Sequence, residues 1–194
     1  SSNDFTLFTA SIISGVSETG LIPNGDSDVL ISAYTADGTL LWEFLFGNSS
    51  VEESPSISVS SLYDSVFIGA TISGSLGKNL SGGSKDIGLS RYDLNGDLIW
   101  QRVLGSTGNQ VLTDLLVTDS GNLLVLGHTS GSSEGLYGQS LIGDGSDVDS
   151  FLTAYSIDGE RLWTHQFGSE FDDDLVALNN TKNTTNGNDK KDEH

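Results

Sequence analysis

Apolar residues fall in short runs along this chain, each closed by a glycine-centred turn, and long stretches with a helical period are missing. In the middle of the sequence "VFIGAT" (66–71) leads through a long loop to "DIGLSRY" (86–92), and the turn "DLNG" (93–96) follows. Then come "DLIWQRVL" (97–104), "GSTGNQ" (105–110), "VLTDLLV" (111–117), "TDSGN" (118–122) and "LLVLGHT" (123–129). These are strand lengths with hairpin signals between them. "VFIGAT" is apolar at nearly every position and carries a glycine, which predicts a strand buried on both faces where sheets crowd together. The later strands alternate more, as sheets with one wetter side do.

The pattern repeats. Trp42, Trp100 and Trp163 lie 58 and 63 residues apart, in "GTLLWEFLFG", "GDLIWQRVLG" and "GERLWTHQFG". Each follows a turn glycine by four positions (Gly38, Gly96, Gly159) and precedes another by five (Gly47, Gly105, Gly168). Each also follows an aspartate by fourteen (Asp28, Asp86, Asp149) and a tyrosine by eight (Tyr34, Tyr92, Tyr155). "DFTLFTASI" (4–12) takes the place of "VFIGAT", and "DDLVALN" (173–179) that of "VLTDLLV". The chain is therefore expected to be all-β, with three four-stranded units at about 4–62, 63–119 and 120–179. The polar stretch 180–194 is expected to be a disordered tail.

Joined with a "D-x-G-N-x-x-V-x-G" turn, these blocks resemble the bacterial β-propeller repeats often called SBBP. They are also similar to the PQQ-type propeller blade. The resemblance covers residues 4–179 and implies three propeller blades, half of a six-bladed ring or an arc of a larger one. It further implies that Trp42, Trp100 and Trp163 dock each blade on its neighbour. It does not carry a cofactor, because quinoprotein dehydrogenases need further blades and cofactor ligands that this chain lacks. Fold alone does not give function.

Propellers close with about four to eight blades, so an arc of three leaves two faces bare. With on the order of 500 Å² of apolar area on each, covering one is worth roughly 12 kcal/mol gross, before association costs. A second copy closing a six-bladed ring, a longer chain, another protein, or an open stack building a surface layer or filament would each cover them.

Composition narrows the remaining readings. The 194 residues include 24 glycines, 2 prolines, no cysteine and no methionine, with a net charge of −19. Absent cysteines exclude disulfides, thiol catalysis and zinc–thiolate sites. No apolar run reaches the roughly 18 residues of a membrane helix. No signal peptide remains, and a chain without Met at position 1 is expected to follow a cleavage or to begin inside a longer one. The charges of the last 16 residues cancel, so the negative excess lies on 1–178 and disfavours nucleic acid. Acidic, glycine-rich and cysteine-free composition fits a secreted or cell-surface protein of bacteria.

Candidate chemistry is sparse. "GDGSDVDS" (143–150) offers Asp144, Asp147 and Asp149 as hard oxygen ligands for calcium. "NGDSD" (24–28) offers Asn24, Asp26 and Asp28, while the middle copy puts Lys85 there. Solvated acidic loops are the alternative. His128, at the end of "LLVLGHT", is expected near one mouth of the central channel. Leu136 and Tyr137, in the longest loop (130–145), are the apolar candidates for contacting a protein or glycan. No G-x-S-x-G elbow is present. A non-enzymatic recognition or assembly module is the reading expected, against a structural subunit or a propeller-scaffold enzyme.

Overall fold

The computed structural model describes residues 6–74, 76, 84–130, 136, 147–173 and 176–179. Among them eleven strands form three antiparallel sheets. The first sheet holds β1 (Thr6–Ile13), β2 (Asp28–Thr35) and β3 (Leu40–Phe46). The second holds β4 (Glu52–Ser60), β5 (Ser65–Ile72), β6 (Asp86–Asp93) and β7 (Leu98–Leu104). The third holds β8 (Asn109–Val117), β9 (Leu123–Ser130), β10 (Val148–Tyr155) and β11 (Arg161–Phe167). The strands of each sheet lie side by side in chain order.

One hairpin recurs three times. Gly38, Gly96 and Gly159 have φ of 86°, 89° and 79°. Their amides donate to the carbonyls of Thr35, Asp93 and Ser156. Each turn is flanked by a register shift between its two strands, at Ala33/Tyr34, Arg91/Tyr92 and Ala154/Tyr155. This is a tight turn closed by a glycine bulge, in a backbone region that an L side chain resists.

The sheets and the sequence repeats are out of phase by one strand. Each expected unit ends with a strand like "VLTDLLV", yet that strand (β8) pairs with β9, the first strand of the following unit. The cause is the short turn at 118–122, where Thr118 and Asn122 bond across a hairpin and Gly121 has a φ of 83°. A turn this tight joins only adjacent strands. The three sheets therefore have three, four and four strands, not four each. The first sheet lacks the strand that β4 and β8 supply to the others, and residues 176–179 form no strand.

Two apolar layers hold the sheets together. Val29, Ile31 and Phe46 of the first sheet pack with Val66, Ile68, Ala70, Ile72 and Tyr92 of the second. Phe67, Ile87, Leu89, Trp100 and Leu104, from its other face, pack with Leu123, Val125, Phe151 and Tyr155 of the third. All eight residues of β5 are buried, as the unbroken apolar run predicts. Gly69 on β5 lets the seam close, since a Cβ there would lie 2.9 Å from Leu115 Cδ1 and 3.0 Å from Leu112 Cδ2 and the leucines would have to shift. The edge strands β4 and β8 touch across the seam through small polar side chains. Leu115 N donates to Ser56 Oγ (3.2 Å) and Val117 N to Ser58 Oγ (2.9 Å).

Candidate functional site

The tryptophans join one sheet to the next. Trp42 Nε1, on β3, donates to the Leu94 carbonyl in the β6–β7 turn at 3.1 Å, and its ring lies 3.3 Å from where a Cβ on Gly96 would sit. Trp100 Nε1, on β7, donates to the Ile157 carbonyl at 2.9 Å and lies equally against Gly159. The turn glycine thus has two duties: it takes the positive φ, and its bare Cα is the floor on which the neighbouring indole rests. Arg91 Nη1 also donates to the Ile157 carbonyl (3.0 Å), and Arg102 Nε to that of Gly159 (3.1 Å).

At the two ends of the stack the same positions are bare. Trp100 is 7% exposed and Trp163, on the last sheet, 38%. At the register of Phe46 (1%) and Leu104 (0%) the last sheet carries Phe167 at 46%. On the opposite end, Val66 and Leu123 are fully buried, whereas Leu7, which pairs with Tyr34 as Val66 does with Tyr92, is 48% exposed. Leu41, Ile99 and Leu162 show that this is an end effect, because they share one register and are half-exposed in all three sheets. A cleft of about 450 Å³ opens on the bare face of the first sheet, lined by Ile13, Leu30, Tyr34, Gly38 and Glu43.

A second constellation explains why aspartate and glycine recur together. Asp28, Asp86 and Asp149 are buried, each with its carboxylate against the Cα of Gly47, Gly105 or Gly168, where a side chain would clash. Beyond that glycine a polar side chain folds back over the loop. Asn48 N donates to Glu52 Oε1 (3.2 Å), Ser106 N to Gln110 Oε1 (2.8 Å) and Ser169 N to Asp173 Oδ2 (2.5 Å). Glu52 and Asp28 are both buried acids, and burial followed by hydrogen bonding to Asp28 pushes the Glu52 carboxyl up to about 8. Glu52 therefore keeps its proton near neutrality. Sequence reasoning missed this position, although glutamate, glutamine and aspartate at a constant ten residues past each tryptophan are its signal.

The sequence candidates fare unevenly. Leu136 is fully buried in the layer between the second and third sheets, so it plugs the core and offers nothing to a ligand. Its correction has a counterpart in Leu76, which plugs the layer between the first and second sheets from the equivalent loop. Tyr137 and Asp144 lie outside the described residues. His128 is half-buried on β9, with Nδ1 3.3 Å from Ser150 Oγ, and lines a cleft of about 390 Å³ with Asn109, Val111, Ser130 and Asp172. The Ser150 hydroxyl is buried and also lies 3.1 Å from the Asp173 carbonyl, to which it donates.

Two of the described calcium candidates are bonded within the protein. Asp149 Oδ2 accepts from Gln166 Nε2 at 2.7 Å, and Asp28 Oδ2 from the Asn24 amide at 2.8 Å. Asn24 and Asp26 are exposed and Asp147 half-exposed. Among the described residues no three His, Asp or Glu side chains are grouped to hold a metal ion. None of the described residues forms a helix long and apolar enough to cross a membrane.

No protein-family model matches the chain. Over 98 residues, half of its length, it is 31% identical to a protein of Caulobacter vibrioides named regulatory protein FlaEY. The chain spans about 10% of the length of that curated relative.

Proposed function

We propose that the three sheets are successive blades of a β-propeller and that the chain is a non-enzymatic extracellular module for protein or glycan recognition and assembly. The observation that carries this reading is the indole-to-turn bond, made at the same register from Trp42 to Leu94 and from Trp100 to Ile157. A seam of this kind is wedge-shaped. Serines and glycine (Ser56, Ser58, Gly69) let the sheets approach at one edge, and an indole fills the gap at the other. Sheets held by such wedges fan out around an axis, with β4 and β8 innermost. A two-layer sandwich would need side chains of similar size along the whole seam.

Support for a module comes from the curated relative, in which the matched stretch is a small part of a much longer chain. The 14–25, 73–83 and 130–145 loops differ in length while the strands keep register. Variable loops on a fixed frame suit recognition. To test this, labelled chain is applied to glycan and extracellular-protein arrays, beside a variant whose 137–146 stretch is replaced by Gly-Ser of equal length. Binding that is lost in the variant while its thermal midpoint is unchanged supports the reading. Binding that persists removes that loop from the recognition surface, and turnover of a bound compound overturns the non-enzymatic assignment.

A further inference from the structure

Among the described residues, 176–179 run like an edge strand with no sheet beside them, and the first sheet has no strand at the place of β4 and β8. Glu52 N donates to the Ser27 carbonyl (3.2 Å) and Gln110 N to that of Lys85 (2.7 Å), and in both cases the chain then enters the first strand of the next sheet. Asp173 N makes the equivalent bond to Val148 at 2.8 Å. Leu115 N then reaches back to Ser56 of the preceding edge strand, and Leu178 N does the same to Asp114 Oδ2 at 3.1 Å. Residues 173 and 176–179 thus follow the path by which β4 and β8 open their sheets, with no further strand paired to them among the described residues. The first sheet, for its part, ends on β1, where β5 and β9 are each paired to a further strand.

We infer that a second copy of the chain completes both ends, each copy laying 176–179 beside β1 of the other, so that two chains close one ring of six sheets. This deepens the proposed function by naming its assembly partner, and it rests on the blade reading. The register follows from the internal seams. Ile57 pairs with Ile68 and Leu115 with Val125, the positions of Thr9 in their sheets. Leu178 therefore lies opposite Thr9 of the second copy. In the same seam Trp163 donates to the Ala36 carbonyl and rests on Gly38, as Trp100 does on Ile157 and Gly159. His165 then meets Tyr34, as Phe44 meets Tyr92 at 4.5 Å.

The two half-seams match each other in register, so a second copy supplies both missing halves at once. A twofold ring makes both seams at once, and six sheets lie within the range that closes.

The test uses the intact chain, which has no native cysteine. Sedimentation over a dilution series is expected to give a species of twice the 20.5 kDa of one chain. Thr9→Cys and Leu178→Cys chains, prepared separately and then mixed under oxidation, are expected to form a disulfide between chains. The Ser11→Cys and Leu178→Cys mixture, two positions out of register, is not. Trp163→Ala is expected to weaken association about a hundredfold or more, the loss of a buried indole at the seam. Its residue is exposed in the single chain, so the fold is retained. A monomer at every concentration, growth into particles larger than two chains, or no cross-link in the Thr9/Leu178 mixture would each overturn the inference. The blade reading survives any of these results if Trp100→Ala, inside the chain, still destabilises.

Discussion

Replacing Trp100 with alanine asks how much of the stability resides in one seam. The indole is 7% exposed, packs in the layer between the second and third sheets, donates to the Ile157 carbonyl, and has the Arg102 guanidinium 5.7 Å above it. Truncating a buried tryptophan costs about 3–5 kcal/mol through lost burial and the cavity left behind. The Ile157 carbonyl keeps its bond from Arg91, so no orphaned acceptor is added. Trp100→Phe separates the parts: it retains most of the burial and forfeits the N–H bond, for about 1 kcal/mol from that bond. Trp163→Ala is the internal control, because the same residue type at the same register has no sheet beyond it within the chain. At dilutions where the chain is a monomer it should cost about 1 kcal/mol or less. Equilibrium urea unfolding followed by far-ultraviolet circular dichroism reads all three, with the m-value reporting whether unfolding stays cooperative. If Trp100→Ala cost no more than Trp163→Ala in the monomer, the indole would not be what joins the sheets.

Gly159→Ala should lose about 1–2 kcal/mol from its φ of 79° alone. It should lose more because the new Cβ would lie 2.9 Å from the Trp100 ring, and thermal unfolding checks this. Glu52 has its folded carboxyl near pH 8, above the 4.5 of an unperturbed one, so the folded state holds a proton that the unfolded state releases. Its contribution is complete below about pH 4.5 and is lost as pH rises through about 8. Glu52→Gln, which places there the residue found at 110, should flatten that alkaline fall while Asp28 and the Asn48 amide keep their places. Urea midpoints at about pH 6 and about pH 9 read the difference. With −19 on each copy, association of two chains should tighten as salt screens the repulsion. Sedimentation at low and moderate salt checks the sign.

Much of the seam was legible because it repeats. Fixed spacings tied each tryptophan to its turn glycine, and the structure shows that the ring of one unit rests on the glycine of the next. The phase of the sheets was not legible, because apolar runs mark strands without saying which neighbour each one bonds. That choice is made by the hairpin at 118–122, whose Thr118–Asn122 and Gly121–Thr118 bonds lay β8 beside β9. Leu136 was misjudged for a related reason. A leucine beside a tyrosine in a long loop looks like a contact surface, and only the gap between two sheets shows that it is a plug. The buried pair of Asp28 and Glu52 escaped because its two members lie 24 positions apart and the second varies among acid and amide.

The one-strand offset changes what a truncation means. On the proposed reading, residues 173–179 belong to no sheet of their own chain, so their removal exposes no apolar layer of the three sheets already built. The two internal layers draw their buried side chains from β2 to β10 and from Leu76 and Leu136, none of them within 173–179. The same removal strips the edge strand from the second copy and uncovers β1 there. A chain ending at residue 172 should therefore unfold at nearly the same urea concentration as the monomeric intact chain and yet fail to pair. If it lost stability as well, the segment would be holding its own third sheet, through the bonds from Asp173 to Val148 and from Leu178 to Asp114, more than completing another's.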